Sequence, residues 1–250
     1  MEWYLTLMVL GAGLVAGFIN TVAGGGSSIT LPVLVLVGLP PSVANGTNRL
    51  AILLQSLVGV STFRNNKVLD MGDGWRLSLP SALGALVGAM VAIRVSDEAM
   101  RVVIIALMAG MLLLVIFNPE AWVKRQANDV VVKTGPWQYF LFFLIGFYGG
   151  FIQVGVGFLL LAGLVLGRGL DLVRANALKV MIVLVYTVIA LIIFWQDNSV
   201  HLWMGLLMGA GSMLGAYAGA KFTIRGSARY VRWFLIGMLV IMILKLTGVY

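Results

Sequence analysis

The sequence predicts an all-α, polytopic membrane protein made of two inverted repeats, each of five helical segments. Three observations predict it. Apolar residues fill 61% of the 250 positions and charged residues only 10%, where a soluble domain carries about 25% charged residues. Several apolar runs reach roughly 20 residues, the length a helix needs to cross about 30 Å of hydrocarbon. The order of long and short runs in the first half then recurs in the second.

Composition also excludes function classes. The net charge of +8 reads as bases collected in cytoplasmic loops rather than as a nucleic-acid surface. There is no cysteine, so disulfides and thiolate metal sites are excluded. H-E-x-x-H, a P-loop and paired intramembrane carboxylates are all missing from the sequence, so no enzyme, metal or cofactor is expected. The start, M-E-W-Y, lacks a positive n-region, and the first run is expected to stay in the mature protein. Trp3, Trp75, Trp137, Trp195, Trp203 and Trp233 lie near the ends of runs, where amphipathic rings meet the membrane interface.

Taken in order, residues 3–23 are apolar and end at Gly24, Gly25 and Gly26. Residues 29–39 form a short run that would reach only about 17 Å as helix. Pro40 and Pro41 stop it. Residues 43–63 are apolar but polar at their start, and 75–95 and 100–117 are ordinary spans. The longest polar stretch, 118–136, is the expected linker between a first repeat (1–117) and a second (137–250). In the second, 137–153 runs into Gly155 and Gly157, and 158–166 is short. Residues 172–195 are long and polar at the start, and 201–221 and 230–248 follow.

The repeat has a register. Gly38-Leu39 and Ala44-Asn45 match Gly169-Leu170 and Ala175-Asn176 at an offset of 131, which puts Asn48 on Lys179 and Phe63 on Phe194. Upstream, Gly17-Phe18 matches Gly146-Phe147 at 129, which implies a two-residue insertion near Arg168. Gly84-x-x-x-Gly88 is matched with Gly211-x-x-x-Gly215, read as helix contacts within the fold or a homodimer face.

Five segments per half is an odd number, so the second half is expected upside down. With that topology, twelve of the bases fall on one side and three on the other, a strong positive-inside bias that places both termini outside. Fusing each short run with the next helix removes the bias. The first two segments of each half are expected to form a hairpin that does not fully span. Its tip lies at the glycine cluster, and the two hairpins meet near the midplane.

The candidate site is in those tips and just beyond them. Gly24, Gly25, Gly26 and Ser27, with Gly155 and Gly157, stand where a second helix begins, and exposed N–H groups there favour an anion. Close helix packing is the competing reading. Arg49 and Lys179 lie about two turns inside long apolar runs, beside Asn45, Thr47, Asn48 and Asn176. Snorkelling competes, but an intramembrane cation usually marks a pathway. Gln153 sits at the second break, while Gln55 and Tyr186 read equally well as bonds to a neighbouring helix. Two basic sites with few acids nearby point to a negatively charged substrate.

At these residues the chain resembles a known family. G-F-I-N-T-V-A-G-G-G, G-L-P-P-S-V-A-N-G-T-N, G-F-Y-G-G-F-I-Q-V-G-V-G-F and R-A-N-A-L-K resemble the sulfite exporter TauE/SafE family over nearly the whole chain. The resemblance implies a bacterial inner-membrane transporter for sulfite, sulfoacetate or related anions. It carries site roles to Asn20, Gly24, Gly25, Gly26, Asn45, Thr47, Asn48, Gly155, Gly157, Asn176 and Lys179. The family's second motif commonly has glycines where this chain has Gln153 and Val156. The expectation is export of a small sulfur-containing anion by alternating access. Two alternatives stand beside it: import of a neutral or weakly acidic organosulfur compound, and a membrane assembly protein that does not transport.

Overall fold

The computed structural model describes residues 3–117 and 135–225, with side chains placed outside 108–117. Among the described residues the fold is all helical: α1 (Trp3–Val22), α2 (Ser27–Leu36), α3 (Pro41–Asn65), α4 (Met71–Ala92), α5 (Asp97–Phe117), α6 (Pro136–Phe151), α7 (Val156–Arg168), α8 (Leu172–Gln196) and α9 (Leu202–Arg225). The expected segment at 230–248 and nearly all of the linker lie outside these residues. Among the described residues, three helices, α1, α4 and α8, are long and apolar enough to cross a membrane by length and composition.

Local chemistry explains the helix starts. Asp70 accepts from the backbone N–H groups of Gly72 and Asp73 at the start of α4, and Asp171 from those of Val173 and Arg174 at the start of α8. These caps satisfy donors that a first turn leaves unpaired. Pro41 and Pro136 open α3 and α6, where a missing N–H costs nothing.

Packing pairs the halves in a crossed pattern. α1 lies on α9 and α4 on α6, while α3 and α8 pack on each other, on α9 and on α4 respectively. The contacts repeat residue by residue. Ser81 donates its hydroxyl to the carbonyl of Phe142 at 3.0 Å, and Ser212 to that of Gly13 at 3.1 Å. Gly74 packs on Met181, and Gly205 on Leu50. Both pairs obey the offsets of 131 for α3–α4 onto α8–α9 and 129 for α1 onto α6.

The same contacts correct one sequence match. Gly84 and Gly88 lie on the backbone of Phe143 and Phe147, whereas Gly215 and Gly219 lie on that of Leu14 and Phe18. Gly84-x-x-x-Gly88 therefore corresponds to Gly215-x-x-x-Gly219, one turn further on than Gly211-x-x-x-Gly215. Glycine recurs every fourth residue from Gly211 to Gly219, so the pattern by itself fits two registers. All these glycines let helix backbones touch within the chain.

One equivalent contact differs in kind. Val37 and Met204 belong to one apolar cluster. At the corresponding places Arg168, at the end of α7, pairs with Asp73 at 2.9 Å. Arg168 is 3% exposed, so this is a largely buried ion pair. Trp3, Trp75, Trp137, Trp195 and Trp203 are all more than half exposed, as rings that meet lipid or its interface require.

Candidate functional site

The site is built around two breaks in the helical backbone. After α1 the chain turns through Gly24, at φ +94°, and starts α2 at Ser27. After α6 it runs extended through Ile152, turns at Gly155, at φ +71°, and starts α7 at Val156. Both φ values lie where glycine is at ease and other residues are strained. The two breaks touch: a Cβ on Gly24 would land on the backbone of Gly157, and one on Gly157 on the backbone of Gly24. The N-termini of α2 and α7, with their positive dipole ends, thus converge on one place.

The C-termini of α1 and α6 converge there too, and the two buried cations close them. Lys179 donates to the carbonyls of Asn20 at 2.8 Å and Thr21 at 3.0 Å, and to Asn176 Oδ1 at 2.6 Å. Arg49 donates to the carbonyls of Gly149 and Gly150, the latter at 3.0 Å, and to Gln153 Oε1 at 2.8 Å and Asn45 Oδ1 at 3.2 Å. Asn45 Nδ2 adds a bond to the Phe151 carbonyl at 2.9 Å. Asn20 and Thr21 correspond to Gly149 and Gly150 at offset 129, and Asn45 to Asn176 at 131. Each half therefore lends a cation, steadied by an asparagine of its own helix, to the last turn of the other half's first helix. The logic is that of a C-terminal cap, where orphan carbonyls and the negative dipole end call for a cation. An ammonium has three protons, and Lys179 gives all three to protein acceptors. Arg49 also lies 5.3 Å from the centre of the Phe194 ring, a cation–π distance.

Between the tips is a small cavity, about 20 Å³ in volume, with room for about one water. The first half lines it with Asn20, Gly24, Ser27, Gln55 and Ser56, the second with Gln153, Gly157, Lys179 and Tyr186. Two amides are held in one orientation. Asn20 Oδ1 accepts from the N–H of Gly26 at 2.7 Å, and its Nδ2 points to Gln55 Oε1 at 3.5 Å. Gln153 Oε1 accepts from Arg49, and its Nε2 donates to the Tyr186 hydroxyl at 3.1 Å. A backbone N–H and a guanidinium can only donate, so neither amide can flip. Each NH₂ end faces another cavity-lining side chain, Gln55 or Tyr186, and has a second proton beyond the bond named. Accepting from Gln153 leaves the Tyr186 proton free to donate as well.

Of the expected site residues, Asn20, Gly24, Ser27, Gln153, Gly157 and Lys179 line the cavity. The rest stand behind it. Gly26 pins Asn20, Gly25 accepts the Ser28 hydroxyl at 2.6 Å, and Gly155 makes the second turn. Arg49, Asn45 and Asn176 serve the caps. Thr47 accepts from the N–H of His201 at 2.8 Å, which ties α3 to the start of α9. Asn48 accepts from Thr30 at 2.7 Å, and its Nδ2 is buried without a partner. Sequence reading left Gln55, Tyr186 and Ser56 out of the site. The offset of 131 carries the missing signal, because it superposes Gln55 on Tyr186 and Ser56 on Thr187, pairs of polar groups in the same place in two apolar helices.

Fold and site define an all-helical membrane protein with a polar, doubly broken centre, the architecture of a transporter. The chain belongs to the sulfite exporter TauE/SafE family, whose profile matches residues 9–246. It is 28% identical to the "probable membrane transporter protein ORF9" of a Sinorhizobium species, over 93% of this chain and 88% of the relative. It is 27% identical to a "probable membrane transporter protein" of Haemophilus influenzae, over 94% and 90%. It is 24% identical to the "probable membrane transporter protein YfcA" of Escherichia coli, over 93% and 86%. No solved structure matches the chain.

Proposed function

We propose that this protein is an inner-membrane transporter that exports a small sulfur-containing anion, sulfite or an organosulfonate such as sulfoacetate, by alternating access. The observation that carries the reading is the fixed orientation of Asn20 and Gln153. Both amides offer protons toward one cavity, at the meeting point of two helix N-termini. A site of donors selects an acceptor, and an oxyanion is the strongest small one.

In the mechanism we draw, Lys179 and Arg49 act first on the protein. They neutralise the carbonyl ends of α1 and α6, so that the positive ends of α2 and α7 dominate the field at the tips. The charge of Lys179 adds to that field while its protons stay on Asn20, Thr21 and Asn176. The anion takes its hydrogen bonds from Asn20, Gln153, Tyr186 and Ser27. A cavity of about 20 Å³ has room for about one water, so the tips separate to load the anion. The two halves form inverted repeats of five segments, with both termini outside and hairpins that stop short of the far face. Supporting this, Lys67, in the loop before α4, and Arg174, in the first turn of α8, line a common second cavity. Ser42 and Thr47 bond Asp97 and His201 on segments assigned to the opposite side. Export of a monoanion down a negative-inside potential gains about 2.3 kcal/mol per 100 mV, so no coupling ion is needed.

The neutral character of every free donor at the cavity also fits a second reading, uptake of a neutral or weakly acidic organosulfur compound. Efflux of labelled sulfite and sulfoacetate from proteoliposomes, with the potential clamped by valinomycin and potassium, separates them. Export of an anion requires a rate that rises as the interior is made negative. Movement that ignores the potential favours the neutral cargo, and no movement of either compound rejects the proposed substrate class.

A further inference from the structure

Comparing the two halves at the cavity shows where their symmetry fails. By the offsets of 129 and 131, Asn20 corresponds to Gly149, Gly24 to Gln153 and Gln55 to Tyr186. In the first half the amide is at the end of α1 and the tip is bare glycine. In the second half the helix end is bare glycine and the amide is at the tip. The Tyr186 ring fills the space that Gly149 leaves, since a Cβ there would meet its Cζ at 3.1 Å and its hydroxyl at 3.2 Å. The first half still supplies the amides of Asn20 and Gln55, and the second that of Gln153. At the tip itself, however, the first half presents the bare backbone of Gly24, and the second presents two bonded side chains, both buried, Gln153 at 4% exposure and Tyr186 at 0%.

That wall is rigid. Gln153 is held at both ends, by Arg49 at 2.8 Å and by the Tyr186 hydroxyl at 3.1 Å. Turning it aside would leave a buried guanidinium N–H without its acceptor, and an unmade bond to a charged group is costly. Gln55, the counterpart of Tyr186, makes only a 3.5 Å contact with Asn20. The first-half wall can therefore give way while the second-half wall cannot.

We propose that Gln153, braced by Arg49 and Tyr186, is the specificity filter of this transporter: when the cavity widens to load, it admits a bare inorganic oxyanion and rejects one that carries a carbon tail. The assignment rests on the transport reading above. The filter works by volume at Gln153, while Tyr186 donates to either anion, so the two roles are separable. Removing the Gln153 side chain opens the tip to its first-half form, a glycine. Removing only the Tyr186 hydroxyl keeps the ring and takes one donor away.

The test is the ratio of sulfoacetate to sulfite efflux from proteoliposomes, for the wild type, Gln153→Gly, Gln153→Asn and Tyr186→Phe. The wild type is expected to move sulfite faster. Gln153→Gly is expected to raise the ratio by about tenfold, the scale on which pocket volume discriminates. Gln153→Asn keeps the amide and removes one methylene, and is expected to raise the ratio by less; it carries the test if the glycine variant does not fold. Tyr186→Phe is expected to slow both anions and leave the ratio within about twofold. A ratio unchanged in both Gln153 variants, with sulfite still moving, overturns the filter. So does a wild type that prefers sulfoacetate. A wild type that moves neither anion overturns the transport reading itself.

Discussion

Lys179 in α8 donates to the carbonyl of Asn20, in the last turn of α1, at 2.8 Å, and it does for the first half what Arg49 does for the second. A cation that looks from its position like an anion ligand is first of all the cap of a broken helix. Its charge reaches the cavity, but its protons do not.

This predicts a stability effect from removing it. Lys179→Met leaves the carbonyls of Asn20 and Thr21 buried without their donor, and each such loss costs about 1–3 kcal/mol. The melting temperature in detergent should fall clearly, whether or not substrate is present. Arg49→Lys should fall too, since an ammonium cannot span the acceptors on Gly149, Gly150, Gln153 and Asn45 at once. A loss of sulfite transport with an unshifted melting curve would place these cations on the substrate instead.

The contact between the tips predicts which glycines tolerate a methyl group. Gly24→Ala and Gly157→Ala place a Cβ on the opposite backbone, an overpacking that costs about 1–3 kcal/mol, with left-handed strain added at Gly24. Gly11 meets nothing within 4 Å, and Gly11→Ala should be neutral or stabilising. Melting temperatures of the three variants check this. Equal behaviour would mean that the tips stand apart.

The ion pair of Arg168 and Asp73 predicts a rescue written in the protein's own other half. Asp73→Ala leaves Arg168 buried without this partner and should cost about 3 kcal/mol. The double variant Arg168→Val, Asp73→Met copies the residues Val37 and Met204, which share one apolar cluster at the corresponding places. It should recover most of that loss, because well-packed apolar pairs often match buried ion pairs. Chemical denaturation of the single and double variants measures it.

Much of this was legible in the chain itself. Clustered glycines marked both breaks, and Pro40 and Pro41 marked the end of a short run. The repeat offset of 131 puts Ser81 on Ser212, so that either bond, once seen, implies the other. What the sequence hides is partnership with the backbone. The cations bond carbonyls, which carry no side-chain signal, so Arg49 and Lys179 read as ligands. Gln55 and Tyr186 read as isolated polar groups because their shared position shows only once the repeat register is applied across both halves. Arg168 read as one more loop base, since burial of a helix end depends on how α7 meets α4. The one-turn slip at Gly211 came from glycines spaced every four residues, a pattern that fits itself at more than one register.

The central claim is that an anion is held by amide protons fixed toward the cavity, and Gln153→Glu tests it most directly. Glutamate matches glutamine in size and gives Arg49 a better acceptor, so the fold should be kept and the melting temperature unchanged or raised. The donor at the Tyr186 end becomes a carboxylate oxygen. An anion about 4 Å from it is opposed by about 4 kcal/mol at an effective dielectric constant of 20. Sulfite efflux from proteoliposomes should then fall at least about a hundredfold. Efflux at the wild-type rate, in a variant that melts as the wild type does, would contradict the account.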